Sequence, residues 1–173
     1  MKKLFIAALG VLALVSCAPK QQCNAVHTKW AYDATIYELN TRQATEEGTF
    51  AAAEALLPEI KESGVDIIWI MPIQKIGVLE RKGSLGSYYA ITDYCQFNPE
   101  FGTRADFEHF LAEAHKLGLK VILDWVANHT APDSEWTKND GWHYRDENGK
   151  LMVQYDWTDI SKLNYDNQDM RAA

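Results

Sequence analysis

Val65-Asp66-Ile67-Ile68-Trp69-Ile70-Met71-Pro72 is an almost unbroken apolar run closed by a proline. A strand with one wet face alternates apolar and polar residues; this one does not, so it reads as a parallel strand covered on both faces. Upstream, Thr35 to Asn40 is β-branched and aromatic and forms a second strand candidate. Thr41 to Gly48 reads as a polar loop. Over residues 49–62, Ala53, Leu56, Leu57 and Ile60 recur at helical spacing, with Thr49 as cap and Gly64 as stop. Downstream, Ile73 to Phe101 reads as a long loop, a length that usually signals function. Thr103 and Asp106 then open a helix whose face carries Phe107, Phe110, Leu111 and Ala114; Gly118 ends it. Leu119 to Asp124 is a third buried strand. Strand, helix, strand, helix, strand predicts an α/β fold with a parallel sheet. Residues 130–173 lose this rhythm and read as an excursion from the sheet, with a hairpin turn at Asp146-Glu147-Asn148-Gly149 and a short helix over 167–173.

The chain has 173 residues, 47% hydrophobic and 24% charged, which excludes a disordered or collagen-like chain. A formal charge of −7 without a basic run argues against nucleic-acid binding and against electrostatic attachment to an anionic membrane. Six Trp and eight Tyr hint at stacking on a flat ligand. At the N-terminus, Lys2 and Lys3 precede an apolar stretch from Leu4 to Val15, too short for a permanent span. It ends in Leu14-Val15-Ser16-Cys17, which resembles the lipobox of bacterial lipoproteins. The expectation is a signal peptide over 1–16 and a lipid on Cys17, which would make the mature chain an exported, membrane-anchored lipoprotein, most simply of the outer membrane. Residues 17–29 would be the tether. Of the other cysteines, a free Cys23 and a packed Cys95 are favoured over a disulfide.

The densest chemistry lies at Asp124-Trp125-Val126-Ala127-Asn128-His129-Thr130, where the third strand meets its loop. In α/β barrels that end of a strand builds the active site. A carboxylate, an amide and an imidazole there can recognise a polyhydroxyl ligand; equally, they can form a polar loop with a cap.

The surroundings decide between the two. Leu57 to Pro72, Tyr89-Ala90-Ile91-Thr92-Asp93-Tyr94, Asn98-Pro99-Glu100-Phe101-Gly102-Thr103 and Asp124 to His129, in that order, resemble the alpha-amylase family of glycoside hydrolases over about residues 30–170. The resemblance implies the N-terminal portion of a (β/α)8 TIM barrel: first βα units over 30–130 and a small excursion subdomain over 131–173. It implies a retaining glycosidase acting on α-glucans or maltooligosaccharides. By position, Tyr89 stacks on the sugar at the cleavage point, His129 hydrogen-bonds it, and Asp124 holds a neighbouring Arg. Asn128 matches a position that binds structural calcium in many members, its other ligands coming from elsewhere; no other cofactor is implied. The family's three catalytic carboxylates follow its fourth, fifth and seventh strands, so none is expected within these 173 residues. The chain then reads as the front part of a longer enzyme, inactive alone.

This sequence departs from the family at Tyr88, usually small or Pro, and at Ala90, where many members carry Asp. The Thr41–Gly48 segment lacks the acidic pattern of a calcium site found there in some subfamilies. Trp125 lines the site or packs beneath its loop. For Trp136, Trp142 and Trp157 a small aromatic core is favoured over sugar platforms. His109 and His115 read as solvated, and His143 has no metal spacing around it. The alternative function is a non-catalytic surface relative that captures glycans.

Overall fold

A computed structural model describes residues 27–173. The signal segment, Cys17, the tether up to residue 26 and Cys23 lie outside the described residues. Two compact units are distinguished, residues 1–33 and 34–173. Of the first, a 3-10 turn over Lys29–Ala31 and an edge-on contact between His27 and Tyr32 at 6.1 Å are described. No helix among the described residues is long and apolar enough to cross a membrane.

In the second unit, β1 (Ile36–Leu39), β2 (Ile67–Ile70) and β5 (Lys120–Leu123) form a parallel sheet in the order β1-β2-β5. Leu39 pairs with Ile70, and Ile70 with Leu123, so the three strands end level. The loops leaving them therefore open at one edge of the sheet. The central strand is the buried one: Ile68 and Ile70 are inaccessible. The third strand is not buried as its sequence predicts. Ile122 and Leu123 are 42% and 45% exposed, because among the described residues nothing pairs with the far side of β5. Among the described residues there is no closed barrel; the sheet is an arc of parallel strands backed by helices.

Four further readings are corrected. The polar segment at Thr41 begins with a helical turn, α1 (Thr41–Ala44). The single helix over 49–62 is two, α2 (Phe50–Glu54) and α3 (Leu57–Glu62). Pro58 has no N–H to give the Glu54 carbonyl. The chain instead tightens through Ala55 N–H to Ala52 O (3.2 Å) and Leu56 N–H to Ala53 O (3.1 Å) before resuming. The long loop after β2 is a structured hairpin, β3 (Gln74–Ile76) against β4 (Ile91–Phe97), antiparallel with register shifts. Along β4 the apolar packing is at Ile91 and Phe97, whereas Cys95 is exposed and free, not packed.

Other local readings hold. Thr49 accepts from Ala52 N–H, and Thr103 with Asp106 closes a reciprocal capping box on α4 (Arg104–Lys116). Gly64 and Gly118 end their helices at φ +88° and +75°, the left-handed region where a side chain is disfavoured. Beyond β5, β6 (His129–Thr130) pairs with β7 (Ser161–Lys162), and α5 (Gln168–Ala172) is capped by Asn167. The Asp146 side chain accepts from the N–H groups of Asn148 and Lys150, closing the expected turn.

The core lies between α2, α4 and the sheet. Phe50 is 1% exposed and meets Phe97, Phe101 and Phe107 edge-on at 6.1, 5.9 and 5.2 Å. Phe50→Ala is expected to remove about 3–5 kcal/mol of stability, seen as a lower urea midpoint at unchanged slope; a loss below about 1 kcal/mol would place the core elsewhere.

Candidate functional site

Asp124 is the first residue past β5, and its N–H donates to Ile70 O at 2.9 Å, one more rung of the ladder. Its carboxylate accepts from the Tyr89 hydroxyl at 2.9 Å. Burial, and then that hydrogen bond, push the Tyr89 phenol up to about 12, so it stays a neutral donor at any ordinary pH.

Tyr89 sits in the segment joining β3 to β4, and side chains distant in sequence fasten that segment. Arg42 donates to Gly86 O (2.9 Å), Leu85 O (3.3 Å) and Glu100 (2.9 Å), and its guanidinium lies 4.4 Å from the Tyr88 ring centre. Asn40, just past β1, donates to the Tyr88 hydroxyl at 3.0 Å. Tyr88, the departure from the family pattern, thus anchors its neighbour. At the other end, Asp133 accepts from Val78 N–H (2.8 Å) and Leu79 N–H (3.3 Å). Gly77 makes this approach feasible: a Cβ there would meet Asp133 Oδ1 at 2.3 Å and the Ala131 Cβ at 2.5 Å.

His129 is 8% exposed. Its Nδ1 accepts from Asn128 Nδ2 at 3.0 Å, and its Nε2–H donates to the Tyr89 carbonyl at 3.1 Å. That pattern belongs to the neutral ring, consistent with burial holding its pKa below the ordinary value. The Tyr94 hydroxyl lies 2.9 and 2.8 Å from the carbonyls of Val126 and His129, bracing the loop from below.

Tyr89 and His129 share a cavity of about 560 Å³ with Lys82, Gly86, Ser87, Trp157, Asp159 and Ile160. Trp125 is 68% exposed and packs one face on Tyr94 at 5.4 Å, so it neither fills the core nor borders this cavity. Trp136 and Trp142 stack edge-on at 5.3 Å, with Tyr94 5.1 Å from Trp136, as an aromatic core. Trp157 instead faces the cavity. His109 is not merely solvated: it contacts Glu54 at 2.6 Å, linking α4 to α2. The described residues do not by themselves make a calcium site. Asn128 offers one amide oxygen where that ion takes six to eight, and no cluster of three His, Cys, Asp or Glu exists among the described residues.

Arg42, Lys82, Asp133 and Asp159 are the residues that sequence reading misses. Each acts on a partner far along the chain, 44 residues away for Arg42 and Gly86, and no local pattern marks them.

A site of polar groups and an aromatic ring, at the strand ends of a parallel βα arc, lies where barrel proteins build their sites. Residues 38–141 match the catalytic domain of alpha amylase, and the chain belongs to that family. It is 46% identical to an alpha-amylase from Lactobacillus plantarum of known structure, with a TM-score of 0.77 over 79% of this chain and 33% of that one. It is 37% identical to the maltogenic alpha-amylase AmyB from Thermotoga neapolitana, with a TM-score of 0.74 over 80% of this chain and 34% of that one. Among curated relatives, alpha-amylase MalA of Haloarcula japonica is 29% identical over 82% of this chain and 22% of its own length. An alpha-glucosidase of Pediococcus pentosaceus is 35% identical over 63% of this chain and 19% of its own length. The chain thus spans about a fifth of these curated relatives. The neighbours are barrel enzymes, so the parallel arc is the portion of an α/β barrel predicted from the sequence.

Next to β6, His143 is 4% exposed, with Nε2 2.8 Å from Thr130 Oγ1 and Nδ1 without a partner. Burial pushes its pKa from 6.5 down to about 4. The unfolded chain therefore takes up this proton first as pH falls, and the folded state loses stability from pH 6.5 down to about 4. In urea titrations, His143→Gln is expected to reduce the loss between pH 7 and 4.5 by about 2–3 kcal/mol; an unchanged pH dependence would refute this.

Proposed function

We propose that this chain forms the sugar-binding half of a retaining α-glucosidase or amylase site whose substrates are maltooligosaccharides and related α-glucosides. The observation that carries it is the meeting of Tyr89, Asp124 and His129 at the level ends of the strands. Tyr89 offers an aromatic face of the kind that packs against the C–H face of a glucosyl ring. Asp124 fixes that ring by holding its hydroxyl. In this reading His129 lends its Nε2–H to a sugar hydroxyl, exchanging the Tyr89 carbonyl for it.

Bond cleavage by the retaining route needs two carboxyl groups about 5–5.5 Å apart across the glycosidic bond. Among the described residues Asp159 is the one acid lining the cavity; in this reading other strands of the barrel supply the cleaving pair, and this polypeptide alone is proposed to bind without hydrolysing. Export and lipid attachment at Cys17 belong to the same proposal. An anchored site would work on glucans outside the cytoplasm, at the outer membrane.

Titration with maltotriose, followed by Trp fluorescence, tests the reading. Saturable binding is expected, weakened at least about tenfold in Tyr89→Ala and in His129→Ala, since loss of a stacked ring or of a buried hydrogen bond costs on the order of 1.4 kcal/mol. Binding indifferent to both substitutions would overturn it.

A further inference from the structure

Most asparagine side chains among the described residues are held by hydrogen bonds. Asn40 Nδ2 donates to the Tyr88 hydroxyl, Asn164 Nδ2 to Gly141 O, and Asn128 Nδ2 to the His129 ring. Asn98 and Asn167 accept from the N–H groups of Glu100 and Met170. Among the described residues, the side chains of Asn139 and Asn148 have no such bond. Asn139 is followed by Asp140, whereas Asn148 is followed by Gly149, the one Asn-Gly pair in the chain. Residues 145–150 are all exposed. A Cβ on Gly149 would meet nothing within 4 Å, so the space around this residue is open. The Asn148 amide is therefore free to turn toward a backbone nitrogen that no side chain shields.

The turn itself opposes that approach. Gly149 N–H donates to Asp146 O at 3.0 Å. Asp146 Oδ1 accepts from Asn148 N–H at 2.9 Å and from Lys150 N–H at 2.8 Å. The Gly149 nitrogen must leave the Asp146 carbonyl before it can attack. These bonds lie at the surface and open locally, without unfolding the core.

We propose that Asn148-Gly149 is a site of spontaneous deamidation, gated by the opening of the Asp146 turn. The Gly149 nitrogen attacks Asn148 Cγ and closes a cyclic imide. Its N–H proton passes to Nδ2, which leaves as ammonia. Water then opens the ring. Hydrolysis between Cγ and the Gly149 nitrogen gives aspartate. Hydrolysis between that nitrogen and the Asn148 backbone carbonyl carbon gives isoaspartate, whose chain runs on through the former side chain. Either way an amide becomes a carboxylate, with water consumed and ammonia released, and nothing is oxidised or reduced.

Both products place a third carboxylate beside Asp146 and Glu147. Isoaspartate also lengthens the backbone by one methylene inside a turn closed at both ends. Arg145 ties Gly149 O to Thr137 O, at 2.8 Å each, so the change is passed beyond the turn. Lys150, Leu151, Met152 and Val153 follow the turn and line a second cavity of about 570 Å³ with Leu79. The modification alters that wall as the protein ages.

The test holds the full chain in warm, mildly alkaline buffer. Peptide mass spectrometry follows each asparagine, and enzymatic methylation detects isoaspartate. Conversion at Asn148 is expected before any other asparagine. Asp146→Ala releases the Asn148 and Lys150 N–H groups and is expected to speed conversion about fivefold, as loss of one ordinary hydrogen bond would. The wild-type chain unfolded in urea is expected to convert faster than the same chain folded. An asparagine other than Asn148 reacting first, or no reaction at Asn148, would overturn the site. Equal rates in the folded wild type, in Asp146→Ala and in urea would overturn the gate.

Discussion

The hydrogen bond from the Tyr89 hydroxyl to Asp124 joins two parts of the molecule that the sheet alone does not connect. Asp124 is rigid because it continues the β2–β5 ladder. Tyr89 belongs to a segment with little regular structure of its own. The bond spans 35 residues, and at 2.9 Å it ties the ring to the strand ends. The Tyr89 carbonyl, turned to the other side, receives the His129 ring. One residue thereby ties the end of β5 to the His129 ring, through its side chain and its backbone.

Around this junction the structure spends polar groups on position. Arg42, 12% exposed in its side chain, reaches two carbonyls and a carboxylate, and its fixed fork makes it suited to that task. Asp133 clamps the start of the same segment over Gly77. These contacts hold a loop that burial alone could not order, because its own apolar residues, Val78, Leu79 and Leu85, are exposed. The hydrophobic core lies between α2, α4 and the sheet, and Tyr88 and Phe97 pack against it.

What the sequence made legible follows from range. Caps, helix stops and the central strand are set by residues within a few positions of one another, and Thr49, Thr103, Gly64 and Ile67–Ile70 read correctly. The break at Pro58 was also local, but the helical spacing of the apolar residues on both sides masks it. Exposure of Ile122, Leu123 and Cys95 depends on what lies beside β5 and β4, which no window of sequence contains. The candidate site divides the same way. Tyr89, Asp124, Asn128 and His129 stand in short motifs, whereas Arg42, Lys82 and Asp159 acquire meaning only when segments separated by tens of residues meet.

A double-mutant cycle on Tyr89→Phe and Asp124→Asn, read as maltotriose affinity, measures the junction directly. If the two groups act as one unit, each single change weakens binding and the double change weakens it little further. The coupling is then about 1 kcal/mol or more, as for hydrogen bonds to charged groups. Additive losses, with no coupling beyond about 0.3 kcal/mol, would contradict the role given to this pair.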